Sequence, residues 1–121
     1  MVPHDEKWVP SEQQRPVHST IPVLTVIKPG LWTTVQDLGR FGYRQYGVPP
    51  SGALDSYAFQ AANFLVGNEP GAAGLEVSFM GPRLRAVAPC AIAVTGADVS
   101  LQINGRSVPT WTAHKLRPDD E

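Results

Sequence analysis

Gly30-Leu-Trp-Thr-Thr-Val-Gln-Asp-Leu-Gly-Arg-Phe-Gly-Tyr43, followed closely by Gly47-Val-Pro-Pro-Ser-Gly-Ala-Leu-Asp55, sets five glycines and two prolines among polar residues that no core requires. Glycine admits positive φ and close backbone approach, while proline fixes φ and removes a donor. A segment of this make-up holds one irregular shape, and a loop of such length in a small domain is functional or disordered. Trp32, Val35, Leu38, Phe41, Tyr43, Tyr46 and Val48 argue against disorder.

On the C-terminal side of this loop the spacing predicts one helix, Ser56 to Val66. Asp55 is placed to cap its first turn, and Gly67 to take the left-handed position after its last. Tyr57, Ala61 and Leu65, with Ala58 and Ala62, recur at helical spacing over enough of the circumference to predict burial on more than one side.

On the N-terminal side, Val23 to Ile27 reads as a first strand, and Thr33 to Val35 as a short second one. After Gly71 short strands and turns follow. Leu75, Val77 and Phe79 alternate with Glu76 and Ser78, which predicts a core-facing apolar row. Leu84 to Val87, Ala91 to Thr95 and Val99 to Ile103 come next. Asn104-Gly105 signals a hairpin into Arg106 to Val108, and Trp111 to Leu116 makes a last strand. Pro118 to Glu121 reads as a turn leading towards a further strand, which predicts an open sheet edge. The fold class expected is mainly β with one principal α-helix, a small barrel or sandwich. Residues 1–20 carry Pro3, Pro10 and Pro16 with little periodicity, and are expected to be a flexible extension before a domain over 21–121.

With 121 residues, 10 basic and 11 acidic, the formal net charge is -1. Neither a nucleic-acid footprint nor a polybasic membrane patch is visible. The one cysteine, Cys90, excludes an internal disulfide framework, offers no metal cluster, and reads as a small buried hydrophobe in a reducing compartment. His4, Asp5, Glu6 and Lys7 occupy the place where a secretory leader would be apolar, and no apolar run approaches a membrane span. A cytoplasmic location is the expectation.

The chemistry-bearing residues fall into small groups. Asp37 and Arg40, beside Gln36, either pair to pin the loop or leave the guanidinium free to hold an anionic group. Ser51 and Asp55 read as a nucleophile with a carboxylate, or as a turn residue with a helix cap; no base to activate the serine is readable. Glu76 lies on the face of its strand opposite the apolar row. Thr95-Gly-Ala-Asp98 ends an apolar strand in a small-residue turn that lets backbone approach a ligand, or in which Asp98 simply shapes the turn. Gly39-Arg-Phe-Gly42 lacks the strand–helix context of a dinucleotide loop, and no Gly-x-x-x-x-Gly-Lys phosphate loop occurs.

Several segments in register carry a resemblance. They are Gly30-x-x-Thr-Thr-Val-Gln-Asp-Leu-Gly-Arg-x-Gly-Tyr43, Gly47-Val-Pro49 with Ser51-Gly-Ala-x-Asp55, and Ala58 with Ala62-Asn-x-Leu-Val-Gly-Asn68. Leu75-Glu76, Gly81-Pro82 and Thr95-Gly-Ala-Asp98 complete the set. Over residues 23–121 the chain resembles the family of allophanate hydrolase subunit 2, the C-subunit of 5-oxoprolinase and the urea carboxylase carboxyltransferase domain. That resemblance implies a cyclophilin-like architecture. It also implies work beside a sister subunit, of the allophanate hydrolase subunit 1 type or like the B-subunit of 5-oxoprolinase. The implied reactions are ATP-dependent opening of the pyroglutamate lactam, or carboxyl transfer from a biotin carried on a separate domain to urea. The substrate expected is a small amide or carboxylate, with ATP used by the complex. Gln36, Asp37, Arg40, Ser51, Asp55, Glu76, Thr95 and Asp98 are the ligand-side candidates, with no metal ligand among them. Members of the family are longer, so the resemblance also implies that a downstream domain is missing. The rival reading is a binding, assembly or regulatory module that associates with a sister subunit. Either way, self-association or partner binding through an exposed apolar patch is expected.

Overall fold

The structure, a computed structural model, describes residues 21–121; the extension expected over 1–20 lies outside the described residues. β-branched and aromatic residues gather in the strands β1 (Leu24–Lys28) and β2 (Trp32–Gln36), which pair with β3 (Gly74–Ser78) and β4 (Arg83–Ala86). Shorter ones follow at β5 (Cys90–Ile92), β6 (Leu101–Ile103), β7 (Arg106–Val108) and β8 (His114–Leu116). The helix α1 runs Ser56–Leu65, preceded by a single 3-10 turn at Arg44–Tyr46.

The ladders are antiparallel pairs: β1 with β4, β2 with β3, β5 with β8 and β6 with β7. The first two are one ribbon with a bend. Leu24 faces Ala86, and twelve residues on, Gln36 faces Gly74, twelve residues back, so the register survives the bend. Within β1 an irregularity between Val26 and Lys28 breaks the spacing. At the bend Gly30, with φ 77°, presses its Cα against the backbone of Met80 and Gly81. A Cβ there would lie 2.8 Å from the Gly81 carbonyl carbon. Leu31 N–H donates to Met80 O at 3.0 Å across the same point. The later strands pair Cys90 with Leu116 and Ile92 with His114, and enclose the Asn104-Gly105 hairpin, both residues at positive φ as a tight primed turn demands.

The domain is mainly β with one principal helix, as expected, but the described residues form four open two-stranded pairs, with no closed barrel among them. The core is correspondingly small. Ala58, Ala86 and Leu116 are its buried apolar residues. The row Leu75, Val77 and Phe79, which reads from the sequence as core-facing, is exposed, with Phe79 at 91%. Alternation names the apolar face of a strand but not what covers it. Likewise α1 buries only Ala58 and Asn63, not several sides. Cys90 is half-buried.

The turn after β8 is pinned rather than loose. Ala86 N–H donates to Asp120 O and Asp119 N–H to Ala86 O, both at 2.8 Å. The Glu121 carboxylate is gripped by two guanidiniums: Arg83 Nε donates to one oxygen at 2.8 Å and Arg85 Nε to the other at 2.9 Å, each backed by an Nη2 donor. Asn104 at the hairpin tip donates through Nδ2 to Asp120 Oδ1 at 2.7 Å. The guanidiniums of Arg85 and Arg83 hold the Glu121 carboxyl below the ordinary glutamate range. The Arg117 N–H, then the Asn104 side chain, do the same for Asp120. A carboxyl whose pKa is lowered by folding contributes its stabilisation above the unfolded-state value and loses it as pH falls through the folded one. Thermal midpoints are therefore expected to drop as the pH falls below the usual carboxylate range, and Glu121→Gln to flatten that acid limb. An unchanged limb in Glu121→Gln would show that the clasp does not couple to folding.

Candidate functional site

Two glycines bring the long loop together. Gly39 (φ 85°) and Gly52 (φ 92°) lie back to back, and a Cβ on Gly52 would sit 2.7 Å from Gly39 N and from the Leu38 carbonyl carbon. A Cβ on Gly39 would collide with the carbonyl oxygens of Pro50 and Ser51. Around this crossing Arg40 N–H donates to Pro50 O at 2.6 Å and Ala53 N–H to Asp37 O at 2.9 Å. The segments 37–40 and 50–53 are thus laced backbone to backbone, and the glycines serve that contact.

The carboxylates fasten the crossing to its neighbours. Asp37 Oδ1 accepts from Gly39 N–H at 2.7 Å. Asp55, extended at φ -108°, accepts from Ala58 N–H at 2.9 Å and so caps α1. Glu76 Oε2, on β3, accepts from Leu54 N–H at 2.6 Å and ties the loop to the ribbon. Thr95 Oγ1 donates to Ala58 O at 2.6 Å and links the segment after β5 to the helix. Gln36 Nε2 donates to Thr34 Oγ1 at 3.1 Å along β2. Replacing Glu76 tests the tie. Glu76→Ala is expected to lose about 1.5 kcal/mol in a urea titration, at the lower end for a charge-assisted bond because the site is accessible to water. Glu76→Gln retains an acceptor and is expected to lose less than half of that; equal losses would point to packing instead.

Asp37, Arg40, Ser51, Asp55 and Glu76 therefore gather at one crossing, with Thr95 bonded to the first turn of the helix beyond it. Asp98 stands outside this lacing, exposed, with no hydrogen bond among the described residues. Asp37 and Arg40 form no ion pair there: the carboxylate is taken by Gly39 N–H, and Arg40 is exposed without a carboxylate partner among the described residues. Ser51, at φ 54°, is exposed, and its N–H and that of Gly52 meet no acceptor among the described residues. His114 bonds Pro109 O through Nε2 at 2.7 Å. The nucleophile reading of Ser51 gains no base from it. A shallow concavity of about 480 Å³ is lined by Ile103, Asn104, Arg106 and Val108 on β6, β7 and their hairpin turn, apart from the crossing. Among the described residues no three His, Cys, Asp or Glu side chains cluster as a metal site.

Two groups escape the sequence reading. Asn63 is buried at 6% exposure and donates through Nδ2 to Pro70 O and Ala72 O, organising the exit from α1. Arg83 and Arg85 form the fork for Glu121. Their alternate spacing on a strand is the available signal, since i and i+2 share a face.

An open β domain with one helix, built on a glycine crossing that leaves a guanidinium and two N–H groups without partners among the described residues, defines the class of module in structural terms. Comparison with known proteins narrows the class. The family model for the carboxyltransferase domain, subdomain A and B, matches residues 46–121. The chain is 38% identical over 94 residues to the C-subunit of 5-oxoprolinase from Escherichia coli, covering 78% of this chain and 30% of that protein. It is 40% identical over 84 residues to urea amidolyase of Lachancea kluyveri, covering 69% of this chain and 5% of that one. The crystal structure of Kluyveromyces lactis urea carboxylase superposes with a TM-score of 0.77 at 39% identity, over 81% of this chain and 9% of that one. The chain belongs to the carboxyltransferase-domain family shared by urea carboxylase and the C-subunit of 5-oxoprolinase, and spans under a third of the length of these relatives.

Proposed function

We propose that the chain contributes a substrate-side surface to an ATP-dependent C–N bond hydrolase or carboxyltransferase of the 5-oxoprolinase or urea carboxylase type. The observation that carries this reading is the crossing of 37–40 with 50–53, which bears Arg40 without a carboxylate partner, and Ser51 and Gly52 N–H groups without acceptors, among the described residues. Lactam opening and carboxyl transfer both build negative charge on a planar carbonyl or carboxylate oxygen, and donors fixed before the reaction stabilise it most. Asp37, Asp55, Glu76 and Thr95 hold the donors in place in this scheme. Their carboxylate and hydroxyl groups are committed to backbone atoms, which makes them positioning residues.

ATP does not fit at the glycines: the space beside Gly39 is filled by the carbonyls of Pro50 and Ser51, and that beside Gly52 by Gly39 N and the Leu38 carbonyl. ATP is consumed elsewhere in the complex, and a biotin carrier, in the urea carboxylase form, enters from another domain. The partner is a sister subunit of the allophanate hydrolase subunit 1 type, or the B-subunit of 5-oxoprolinase, met in the cytoplasm. On assembly the open strand pairs complete the cyclophilin-like barrel. A second reading, a non-catalytic assembly or regulatory module, draws support from the large exposed apolar surface.

The experiment separates the two. The chain is combined with the sister subunit and with the part of the Escherichia coli relative that it does not cover, and ATP-dependent pyroglutamate cleavage and urea carboxylation are each assayed. Turnover that requires the chain supports the enzyme reading. A stable complex without turnover of either substrate sinks it and leaves the module.

A further inference from the structure

The outer face of α1 is built for protein rather than water. Ser56–Leu65 contains no charged residue, although a water-facing helix carries its charges on that side. Its exposed stripe is Tyr57, Gln60 and Phe64, at helical spacing, with Tyr57 at 75% and Phe64 at 81% exposure. Gln60, exposed between the two rings, is uncharged and donates its amide to Ser56 O at 3.1 Å. Trp111, just before β8, widens the stripe: its ring centroid lies 6.3 Å from that of Tyr57. Trp111 is held there by its backbone N–H bond to Val94 O at 2.7 Å. Leu54, 93% exposed, stands just before the cap. Uncharged aromatic clusters of this sort are the anchors of protein interfaces.

We infer that the Tyr57–Phe64–Trp111 stripe docks the remainder of the carboxyltransferase domain, the portion that family relatives carry beyond the matched stretch. Two facts select this occupant. The matched stretch makes up 30% of the chain of the 5-oxoprolinase C-subunit and 9% of the urea carboxylase chain, so each carries more than twice its length of protein besides it. The backbone of 81% of this chain superposes on that larger chain at a TM-score of 0.77, so the fold that carries the stripe is one that occurs within a longer protein. The inference rests on the proposed assembly but not on its chemistry.

Its test is a binding measurement. The tagged chain is co-expressed with the uncovered part of the Escherichia coli relative, and both are followed by affinity capture and light scattering. A one-to-one complex is expected, with a tenfold or greater loss of captured complex in Phe64→Glu and Tyr57→Lys. Fluorescence of an apolar-surface dye on the free chain is expected to fall severalfold in the same variants, with far-ultraviolet dichroism unchanged. Absence of capture, including failure of the co-expressed fragment to become soluble, overturns the proposal. So does unfolding of the variants, which would place the stripe in the chain's own core. A homodimer dissolved by Phe64→Glu that captures nothing else would make a second copy the occupant and equally overturn it. Catalytic silence in a stable complex would count against the proposed reaction alone.

Discussion

Gly39→Ala is expected to lower the stability of the chain by about 3 kcal/mol, where Gly42→Ala costs about 1 kcal/mol. Both glycines have positive φ, 85° and 87°, so both variants meet the left-handed penalty of about 1–2 kcal/mol. They differ in what a Cβ meets. At Gly42 nothing lies within 4 Å, whereas at Gly39 the new carbon runs into the carbonyl oxygens of Pro50 and Ser51. The backbone there cannot easily yield, because Pro50 O already accepts from Arg40 N–H and Ala53 N–H is tied to Asp37 O. Overpacking of this kind adds about 1–3 kcal/mol. For a domain of this size each kcal/mol moves the melting midpoint by roughly 4–8 °C. Calorimetry of the two variants side by side isolates the clash, and equal midpoints would mean that the crossing is not in backbone contact.

Arg40→Ala is expected to reduce kcat/KM of the assembled enzyme by roughly 100-fold, about 2.7 kcal/mol of transition-state stabilisation. The guanidinium is exposed and has no ion pair among the described residues, so its loss is expected to leave the melting midpoint within about a degree. Its backbone tie to Pro50 survives the substitution. If the group acts on developing charge, kcat falls more than KM rises, and Arg40→Lys restores part of the loss by charge without the planar fork. A variant with unchanged kcat/KM would remove Arg40 from the substrate side and leave the crossing a purely architectural element.

Local chemistry is the legible part of the sequence. Asp55 followed by an uncharged apolar run marks the helix start, Gly67 its end, and Asn104-Gly105 the hairpin; all three are short-range effects of φ and capping. The family too is legible, because Gly39 and Gly52 are fixed by a contact that tolerates no side chain. What covers each face is not. The periodicity of Leu75, Val77 and Phe79 is the same whether the covering surface lies in this chain or another, so an apolar row reads as a core and stands exposed. Closure into a barrel fails to follow for the same reason: the pattern of each strand does not say what meets the open edges of the four pairs. Among site residues, sequence places Asp37 and Arg40 as neighbours, but spacing alone does not reveal that a backbone N–H takes the carboxylate ahead of the guanidinium.

Gln36 and Gly74 stand opposite one another at the inner end of the bent ribbon, while everything between them, the crossing and α1 included, leaves and returns through that one gate. Such a stretch is a cassette. Evolution can swap, lengthen or retune it without disturbing the rungs outside, since insertions whose two ends already meet carry little entropic cost. One ribbon can in this way carry different insertions, the scaffold staying constant while the cassette is exchanged.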